Sequence, residues 1–437
     1  MRILKGFLVI SLISSISSCK KSDSADTALN PFSNGGKERN MIVVMSDIHL
    51  GADLTYAECK KNLGSLEKLL KQIKTAPNVK ELVIAGDMLD EWFIPATVDT
   101  YQGKDQTDFV QRIAMANKGV IDAFNSIIHE GKILVTYVPG NHDLTITAAN
   151  VNKILPGIHQ ARDTEQGLGT YSPADNPKIA IEHGHRYNFF CAPDPISNQG
   201  IAPGTIMPPG YFYTRIGVLS FIQNFPPAGD IVPVVTPNAS GDGSQTLLFI
   251  YWNVWSRALS KYTISNKFDE KIIVTNIDGL NGSYSVNDLL PFQKITGGVI
   301  DVGLYKGIQD SWSQRQTLNN VAVNIPVSQA IANAAKASES DDQAKNQYFL
   351  NPASDKRVVI FGHTHDPKII ASDNFNGQKS IYANTGTWID HNSVVPTIMS
   401  FVVITPQNTS SSSWTYIKLY NFENEVVTKM AADSLRF

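Results

Sequence analysis

The chain has 437 residues, enough to bury a large core, and this length indicates two or three structural units. Its hydrophobic fraction of 42% and charged fraction of 18% are ordinary for a globular protein. The formal charge of −3 gives no global basic surface, which argues against nucleic acid as the main partner.

The first 40 residues have the pattern of an export signal followed by a tether. Residues 1–19 combine a short basic start with an apolar, serine-rich run that is too short to span a bilayer comfortably. The run ends at Cys19 in an Ile-Ser-Ser-Cys sequence that resembles the bacterial lipobox, in which the cysteine is lipidated. An ordinary signal peptide with an incidental cysteine is the alternative. Residues 20–40 are polar and lack periodicity, which predicts a flexible tether.

After the tether the chain alternates between short apolar runs, each followed by polar residues, and longer segments with helical spacing. Strands are predicted at 41–45, 81–85, 132–138, 178–182 and 357–361, and helices at 56–73 and 109–129. Three further strands, expected to be antiparallel because they are closely spaced, follow at 380–383, 397–404 and 414–420. The alternation predicts an α/β fold with its functional site at the carboxyl ends of the strands.

The alternation breaks between residues 186 and 352, where the chain is rich in proline, glycine and aromatic residues. A domain made of residues 41–185 and 353–437 therefore contains a mainly helical insertion, 186–352. Helices are predicted in it at 205–225, 246–262 and 327–348. Two interpretations of the aromatic helices stay open: they form the insertion's own core and pack on the main domain, or they form a cap over an apolar part of a substrate.

Five polar clusters follow the strands and offer oxygen and imidazole ligands. They are Asp47-Ile48-His49, Gly86-Asp87, Gly140-Asn141-His142-Asp143, His183-Gly184-His185 and Gly362-His363-Thr364-His365. One such cluster arises easily by chance, but five in this order, each after a strand, indicate a single site. Divalent metal ions accept these ligands, and a pair of such ions is suited to attacking and releasing phosphate oxygens.

The clusters resemble those of the calcineurin-like metallophosphoesterases. The pattern of that family is Asp-x-His, Gly-Asp-x-x-Asp, Gly-Asn-His-Asp or Glu, His-Gly and Gly-His-x-His, and the resemblance covers about residues 41–185 and 355–405. It implies a double β-sandwich flanked by helices, in an α/β/β/α arrangement. It also implies two divalent metal ions, and the ligand types suit Mn, Fe or Zn without selecting among them.

The resemblance further implies the roles of individual residues. One ion would be held by Asp47, His49 and His365, and the other by Asn141, His183 and His363, with Asp87 bridging the two. A hydroxide shared by the ions would attack the phosphorus. His142 would contact the phosphate and protonate the leaving oxygen, and Asp143 would orient His142.

Three residues are candidate substrate contacts. Asp90 occupies the position at which purple acid phosphatases have a tyrosine ligand, so a tyrosinate-bound Fe(III) site is not expected. His185 could contact substrate, support a ligand or do neither. Arg186 could bind phosphate in a bidentate manner, or it could form a surface salt bridge.

The segment from Gly86 to Phe93 looks like the Gly-Asp-x-x-Asp-x-Trp segment of UDP-2,3-diacylglucosamine pyrophosphatases. Those enzymes also carry a helical insertion between the fourth and fifth motifs, where it holds acyl chains. The insertion here is longer, and an exported protein would not meet that cytoplasmic substrate. The likeness therefore supports an insertion that covers the site, and not that substrate.

Two smaller features leave alternatives open. Cys59 and Cys191 could form a disulfide in an exported protein or stay as two buried free thiols. The segment 384–388 is expected at the rim of the site, although Trp388 could equally belong to the core.

The sequence thus predicts a lipid-anchored hydrolase of phosphoric ester or pyrophosphate bonds, exported to the bacterial cell envelope on the periplasmic or outer-membrane face. Its expected partners are a phosphorylated small molecule or lipid as substrate and the membrane through the anchor, with no indication of oligomeric state. A nucleotidase or nuclease of the same superfamily is the alternative enzyme. A non-catalytic envelope protein that binds a ligand is the third candidate, against which the intact Asn141-His142-Asp143 argues.

Overall fold

The computed structural model describes residues 30–163, 166–334, 336, 338–407 and 413–437. The predicted signal sequence, Cys19 and the first part of the tether lie outside these residues. Among the helices that are described, none combines the length and the apolar character needed to cross a bilayer.

The described residues form sixteen strands and ten α-helices. In chain order the strands are β1 (Met41–Met45), β2 (Val79–Ala85), β3 (Leu134–Val138), β4 (His159–Gln160), β5 (Thr170–Tyr171), β6 (Ile179–Glu182), β7 (Ile273–Ile277), β8 (Leu280–Tyr284), β9 (Phe292–Gln293), β10 (Ile300–Asp301), β11 (Val358–Phe361), β12 (Lys368–Asp373), β13 (Lys379–Asn384), β14 (Ser400–Thr405), β15 (Thr415–Glu423) and β16 (Val426–Leu435). The helices are α1 (Leu63–Thr75), α2 (Gln106–Ala116), α3 (Lys118–Glu130), α4 (Ala148–Ile154), α5 (Pro209–Ile222), α6 (Gly243–Lys261), α7 (Val286–Leu289), α8 (Ile308–Leu318), α9 (Val327–Asn333) and α10 (Glu339–Ala344). A 3₁₀ turn at His185–Tyr187 and a π turn at Lys345–Phe349 complete the secondary structure.

Two sheets carry the fold. The first has the order β16-β15-β14-β1-β2-β3-β4, and β1 to β4 are parallel while β14, β15 and β16 are antiparallel to their neighbours. The second has the order β12-β13-β11-β6-β5, with β13, β11 and β6 parallel. The strand expected at 380–383 is therefore antiparallel only to β12. The β12–β13 hairpin turns the chain back, so β13 runs alongside β11 in the same direction.

The inner faces of the two sheets share one apolar core. Val44 and Val83 of the first sheet belong to the same buried cluster as Ile181 and Ile360 of the second. The outer face of the first sheet packs with residues of α1 and α3 in a second, larger cluster. Each fully buried aliphatic side chain of this kind contributes about 1.5–3 kcal/mol to folding. The layers are the helix–sheet–sheet–helix arrangement that the sequence predicts.

Strand β1 and the second half of β2 are unbroken apolar runs because both of their faces are covered. All five residues of β1 are buried, as are Leu82 to Ala85 of β2. Such runs end where polar residues begin, at the carboxyl ends of the strands. The predicted strand positions are correct for this reason, to within a few residues.

Two helix predictions in the main domain differ from the structure. The helix predicted at 56–73 begins only at Leu63, because the Asp390 carboxylate accepts the backbone N–H groups of Lys60, Lys61 and Asn62 and ends the preceding loop there. The helix predicted at 109–129 is two helices that meet at Asn117. The Asn117 side chain donates to the Gly51 carbonyl at 2.9 Å, which competes with a continuous helix.

The insertion packs into the same apolar cluster as the helices of the first sheet. Phe190 and Tyr251 stack at a ring separation of 5.5 Å, and both belong to this larger cluster. The buried Arg215 of α5 donates to the carbonyl oxygens of Ile94 and Val274, at 2.8 and 2.9 Å, and so joins the insertion to the loop after β2. The aromatic helices are thus core elements, and the helix predicted at 327–348 is broken into α9, α10 and the π turn.

The two cysteines of the described residues are free thiols. Cys59 is buried and Cys191 is partly buried. Burial raises the pKa of both thiols, which makes them poor nucleophiles. The disulfide alternative is therefore not the one that the structure shows.

Candidate metal centre

The carboxyl ends of both sheets meet at one edge of the sandwich. The backbone N–H of His363, after β11, donates to both carboxylate oxygens of Asp47, after β1, at 3.1 Å. The Nδ1 atom of His183, after β6, lies 2.9 Å from the carbonyl oxygen of Ala85, at the end of β2. These contacts across the two sheets gather residues from distant parts of the chain into one place.

The backbone at this edge is held in an unusual conformation. Five of the seven predicted ligands have positive φ angles between 51° and 72°: Asp47, His49, Asp87, His363 and His365. For residues other than glycine the left-handed region costs roughly 1–2 kcal/mol each. Such strain tends to be kept where function requires it, and the strand-end clusters hold five of the fourteen non-glycine residues of this kind among those described.

Asp47, His49 and His365 form the first compact group of possible metal ligands. His365 Nε2 lies 3.2 Å from Asp47 Oδ1 and 3.3 Å from His49 Nε2. Two imidazole nitrogens this close either share one proton or both direct lone pairs at a cation. A divalent ion would be bound by the lone pairs that this arrangement brings together.

Asp47, Asp87 and His183 form the second compact group. His183 Nε2 lies 3.1 Å from Asp87 Oδ2 and 3.1 Å from Asn141 Oδ1. Because His183 Nδ1 faces a carbonyl oxygen, Nε2 is the nitrogen left to bind a metal ion when the ring is neutral. Asp87 also lies 3.7 Å from His49 Nε2, so its carboxylate stands between the two groups.

His363 lies at the edge of these groups. Its ring centroid is 5.2 Å from that of His183, and it belongs to neither compact group. Burial and the adjacent His183 lower the pKa of His363 to about 3, so the ring is neutral and able to act as a ligand.

The charges of the site favour a cation. Burial alone would raise the pKa of Asp87, but the histidines around it, His183 foremost, hold that pKa well below its usual range. Burial likewise opposes a charge on His183, but Asp87 and Asp47 outweigh it and raise its pKa to about 9. In this structure protonated histidines balance the charge of the buried carboxylates. A divalent ion bound there would take the place of those protons.

His142 is oriented by Asp90 rather than by Asp143. His142 Nδ1 lies 2.9 Å from Asp90 Oδ1, and His49 Nδ1 lies 2.9 Å from Asp90 Oδ2. Asp90 is 2% exposed and also accepts the backbone N–H of Trp92 and Phe93. Both oxygens of Asp90 thus accept protein donors, and a contact between Asp90 and substrate stays a prediction.

Asp143 has a different role from the one predicted. Its carboxylate accepts the backbone N–H groups of Gly140, Met88 and Leu89 at 2.6, 2.9 and 3.2 Å. Burial, with Asp87 nearby, raises the pKa of Asp143 to about 6. Asp143 thus fixes the loop after β3 against the loop after β2, and the side chain that holds His142 is three residues after Asp87 instead.

Arg186 is not available as a phosphate clamp. Its guanidinium pairs with Glu182 and with Asp163, at 2.7 Å each, and also donates to Thr170 Oγ1 at 3.0 Å. Arg186 is 4% exposed. The predicted salt bridge is present, but it is buried rather than on the surface.

His185 lies behind the ligand cluster. It is buried, and its ring centroid is 5.3 Å from that of His183. Burial lowers the pKa of His185 well below its usual value, so the ring is neutral. Of the three alternatives, the structure favours packing against a ligand residue over contact with a substrate.

The sequence reasoning missed Glu58. Its Oε2 atom lies 3.3 Å from His49 Nδ1, and one atom from each of Glu58, His49, Asp90 and His142 fits within 4.8 Å. Glu58 belongs to none of the strand-end clusters, and it sits in the irregular loop that was predicted to be helical. No periodicity or motif marks it.

The segment 384–388 supports the loop after β1. The Trp388 N–H and the Thr387 hydroxyl donate to the Asp47 carbonyl at 3.0 and 2.9 Å. Trp388 itself is fully buried, so it is a core residue. On the other side of the site, Trp92 packs on His142 with ring centroids 5.0 Å apart, and Tyr211 of the insertion packs on Trp92.

Comparison with known proteins agrees with this geometry. The family model of the calcineurin-like phosphoesterases matches residues 41–223, which include the first four clusters. This part of the chain is therefore similar to the calcineurin-like phosphoesterases. The match extends past residue 185 into the predicted insertion. Members of the family are metal-dependent phosphoesterases, and the compact groups at the strand ends are where this chain can bind metal.

Among solved structures, vacuolar protein sorting 29 from Cryptosporidium parvum aligns with 9% identity and a TM-score of 0.31, over 91% of this chain and 98% of that one. Wild-type Vps29 complexed with Zn²⁺ from Entamoeba histolytica aligns with 10% identity and a TM-score of 0.28, over 91% and 98% of the two chains. Similarity at this level carries no argument about the site. A search of curated proteins finds no match.

Proposed function

We propose that this calcineurin-like phosphoesterase is a dinuclear metal-dependent hydrolase of phosphoric ester or pyrophosphate bonds. The observation that carries the proposal is the convergence of two ligand groups around one carboxylate. Asp87 Oδ2 is 3.1 Å from His183 Nε2 and 3.7 Å from His49 Nε2, so a single side chain can serve both groups.

The proposed ligand sets follow the two groups. Asp47, His49 and His365 would hold one ion. Asn141, His183 and His363 would hold the other. Asp87 would bridge them. The oxygen and nitrogen atoms of these side chains suit Mn, Fe or Zn equally.

When bound, two divalent ions supply an activated water and neutralise charge on the phosphoryl oxygens. His142 would donate a proton to the leaving oxygen. Its backbone N–H is held by Asp87 Oδ1 at 2.8 Å and its Nδ1 by Asp90, which leaves Nε2 as the nitrogen that can face a substrate. Burial opposes a charge on His142, but Asp90 and Asp87 outweigh it and raise the pKa of the ring, which favours the protonated form that this step needs.

Export and lipid anchoring are part of the proposal. They are supported by the apolar run in residues 1–19 and by Cys19 at its end. Mass spectrometry of the protein from a bacterial envelope fraction should find a diacylated N-terminal cysteine. A mature protein that begins elsewhere, or an unmodified Cys19, would refute the anchor without touching the proposed chemistry.

The alternative enzyme is a nucleotidase or nuclease with the same centre. The formal charge of −3 disfavours long nucleic acid, because counterion release from phosphates needs clustered Lys and Arg. A non-catalytic ligand-binding protein is the other alternative. A binding protein does not require a proton donor, whereas His142 is oriented as one by Asp90.

The test is hydrolysis of p-nitrophenyl phosphate, bis(p-nitrophenyl) phosphate and pyrophosphate by protein supplied with Mn²⁺ or Zn²⁺. We expect turnover of at least one of these compounds, and its loss in Asp87→Asn. Asp122→Asn on α3 is the matched control, since its carboxylate is 59% exposed and pairs with Lys118 at the surface. The enzyme proposal would be refuted if the metal-loaded protein cleaved none of the three compounds.

A further inference from the structure

A cavity of about 400 Å³ lies in the loop after Trp388, lined by residues 390–396 and Ile398. This volume is in the range of small-molecule binding sites, about 300–1,000 Å³. We call it the 390–398 cavity. No strand-end cluster contributes to its lining among the residues that the structure describes.

Hydrogen bonds join the wall of this cavity to the candidate metal centre. The Asn392 side chain donates to the carbonyl oxygen of His365 at 2.7 Å. The Asp390 N–H donates to the carbonyl oxygen of Glu58 at 2.8 Å, and the Glu58 carboxylate lies 3.3 Å from His49 Nδ1. The loop that forms the cavity is therefore bonded directly to residues of the centre.

The lining has both polar and apolar parts. His391, Asn392 and Ser393 offer hydrogen-bonding groups, and Val394 and Ile398 are among the apolar members. A surface of this kind suits a molecule that is polar at some edges and apolar at others.

The charges at the cavity do not suit an anion. Within the described part of the chain, the lining contains no lysine or arginine, and its one carboxylate is Asp390. Three backbone N–H groups, those of residues 60 to 62, already occupy that carboxylate. An additional phosphate or carboxylate on the substrate would meet this carboxylate, and the described lining has no lysine or arginine to offset it.

We propose that the 390–398 cavity receives the alcohol part of the substrate, and that this alcohol is uncharged, polar and of sugar to nucleoside size. The inference rests on the proposed hydrolase function and names its substrate class. Hydrolysis adds water to phosphorus and breaks the bond to the alcohol oxygen, which leaves as the alcohol after it takes up one proton. No redox partner is needed.

The size of the alcohol is tested by filling the cavity. Val394 is 44% exposed and lines the cavity, so Val394→Trp can be tolerated by the fold and narrows the space. Val426→Trp on β16, where the valine is 61% exposed and outside the cavity, is the matched control. Ser393→Trp is a second filling variant. The probes are adenosine 5′-monophosphate, which has a large alcohol, and methyl phosphate, which has a minimal one.

We expect Val394→Trp and Ser393→Trp to lower kcat/KM for adenosine 5′-monophosphate by about tenfold, the loss typical of removing a few apolar contacts, with methyl phosphate unchanged. The control should leave both values unchanged. Equal effects on both probes, or no effect on either, would overturn the assignment of the cavity.

The charge of the alcohol is tested with a closely matched pair, glycerol 3-phosphate and 3-phosphoglycerate, in which a hydroxymethyl group is replaced by a carboxylate. The unmodified protein should prefer the former by about tenfold, as like charges in a partly buried site repel. Equal rates would overturn the charge argument. If p-nitrophenyl phosphate is cleaved but these expected results are not observed, only the inference about the cavity is refuted. If no probe is hydrolysed, the proposed function itself is refuted.

Discussion

Replacing Asp90 by asparagine separates the role of the carboxylate from its shape. In the native protein Asp90 accepts Nδ1–H from His142 on one oxygen and from His49 on the other, both at 2.9 Å. Asparagine offers one oxygen and one NH₂ group. Because two backbone N–H groups already bond to Oδ1, the amide oxygen should stay on the His142 side. The NH₂ group then faces His49.

The size of the effect follows from the bonds that are lost. A hydrogen bond to a charged group contributes about 1.5–3 kcal/mol, and removing the charge weakens the bond to His142 while the bond to His49 becomes a clash of two donors. His49 can escape by moving its proton to Nε2, the atom that faces His365. That tautomer cannot bind a metal ion through Nε2, and losing a supporting partner of this kind typically costs about 10- to 100-fold in metal affinity or activity.

The assay compares esters with good and poor leaving groups, such as p-nitrophenyl phosphate and an alkyl phosphate. A weakened proton donor affects the alkyl ester more, since its leaving oxygen needs the proton. We expect Asp90→Asn to lower kcat about 10- to 100-fold for p-nitrophenyl phosphate and further for the alkyl ester. Asp143→Asn is the control, because the Asp143 carboxylate accepts backbone N–H groups of two loops and does not hold His142.

The role assigned to Asp90 would be refuted if Asp143→Asn, and not Asp90→Asn, changed the dependence on the leaving group. It would also be refuted if Asp90→Asn bound metal and turned over both esters as the native protein does. In either case Asp90 would not be the residue that positions His142.

Two further predictions concern a glycine and a buried acid. Gly140→Ala should abolish metal binding and activity, because the added methyl group would overlap the carboxylate and the backbone nitrogen of Asp87. Its control, Gly64→Ala in α1, has open space around the new methyl and should stabilise the fold by about 0.5–1 kcal/mol in urea unfolding. Burial raises the pKa of Glu91 from 4.5 to about 7, so the unfolded chain ionises first as pH rises and the folded state loses stability between pH 4.5 and 7. Glu91→Gln should remove about 3 kcal/mol of this pH dependence. The measurement is the difference in unfolding free energy between about pH 4.5 and 7.5. The prediction would be contradicted if unfolding free energy changed with pH as it does in the native protein.

Much of the site could be predicted because its residues follow fully buried strands. An apolar run such as β1 or β11 ends abruptly at the carboxyl end of the strand. The sequence therefore shows that the polar residues after the run lie at that end. Parallel strands then bring these ends together. The α/β/β/α layers were implied by the family resemblance, whereas the runs themselves predict only an α/β fold.

What failed depends on contacts between distant segments. The choice between Asp90 and Asp143 as partner of His142 is set by which backbone N–H groups lie nearby, and the sequence does not show these. The choice between a phosphate clamp and a salt bridge for Arg186 stayed open because only the fold brings Glu182 and Asp163 to its guanidinium. Glu58 contacts His49 from an irregular loop, in which no hydrophobic periodicity and no sequence motif marks it.

The most direct test of the central claim is the electron paramagnetic resonance spectrum of the protein titrated with Mn²⁺. Two ions that share the Asp87 carboxylate should give an exchange-coupled signal that saturates at two equivalents per chain and disappears in Asp87→Asn. A spectrum of isolated Mn²⁺ alone, or saturation at one equivalent, would contradict a dinuclear centre at the ends of β1, β2, β3, β6 and β11.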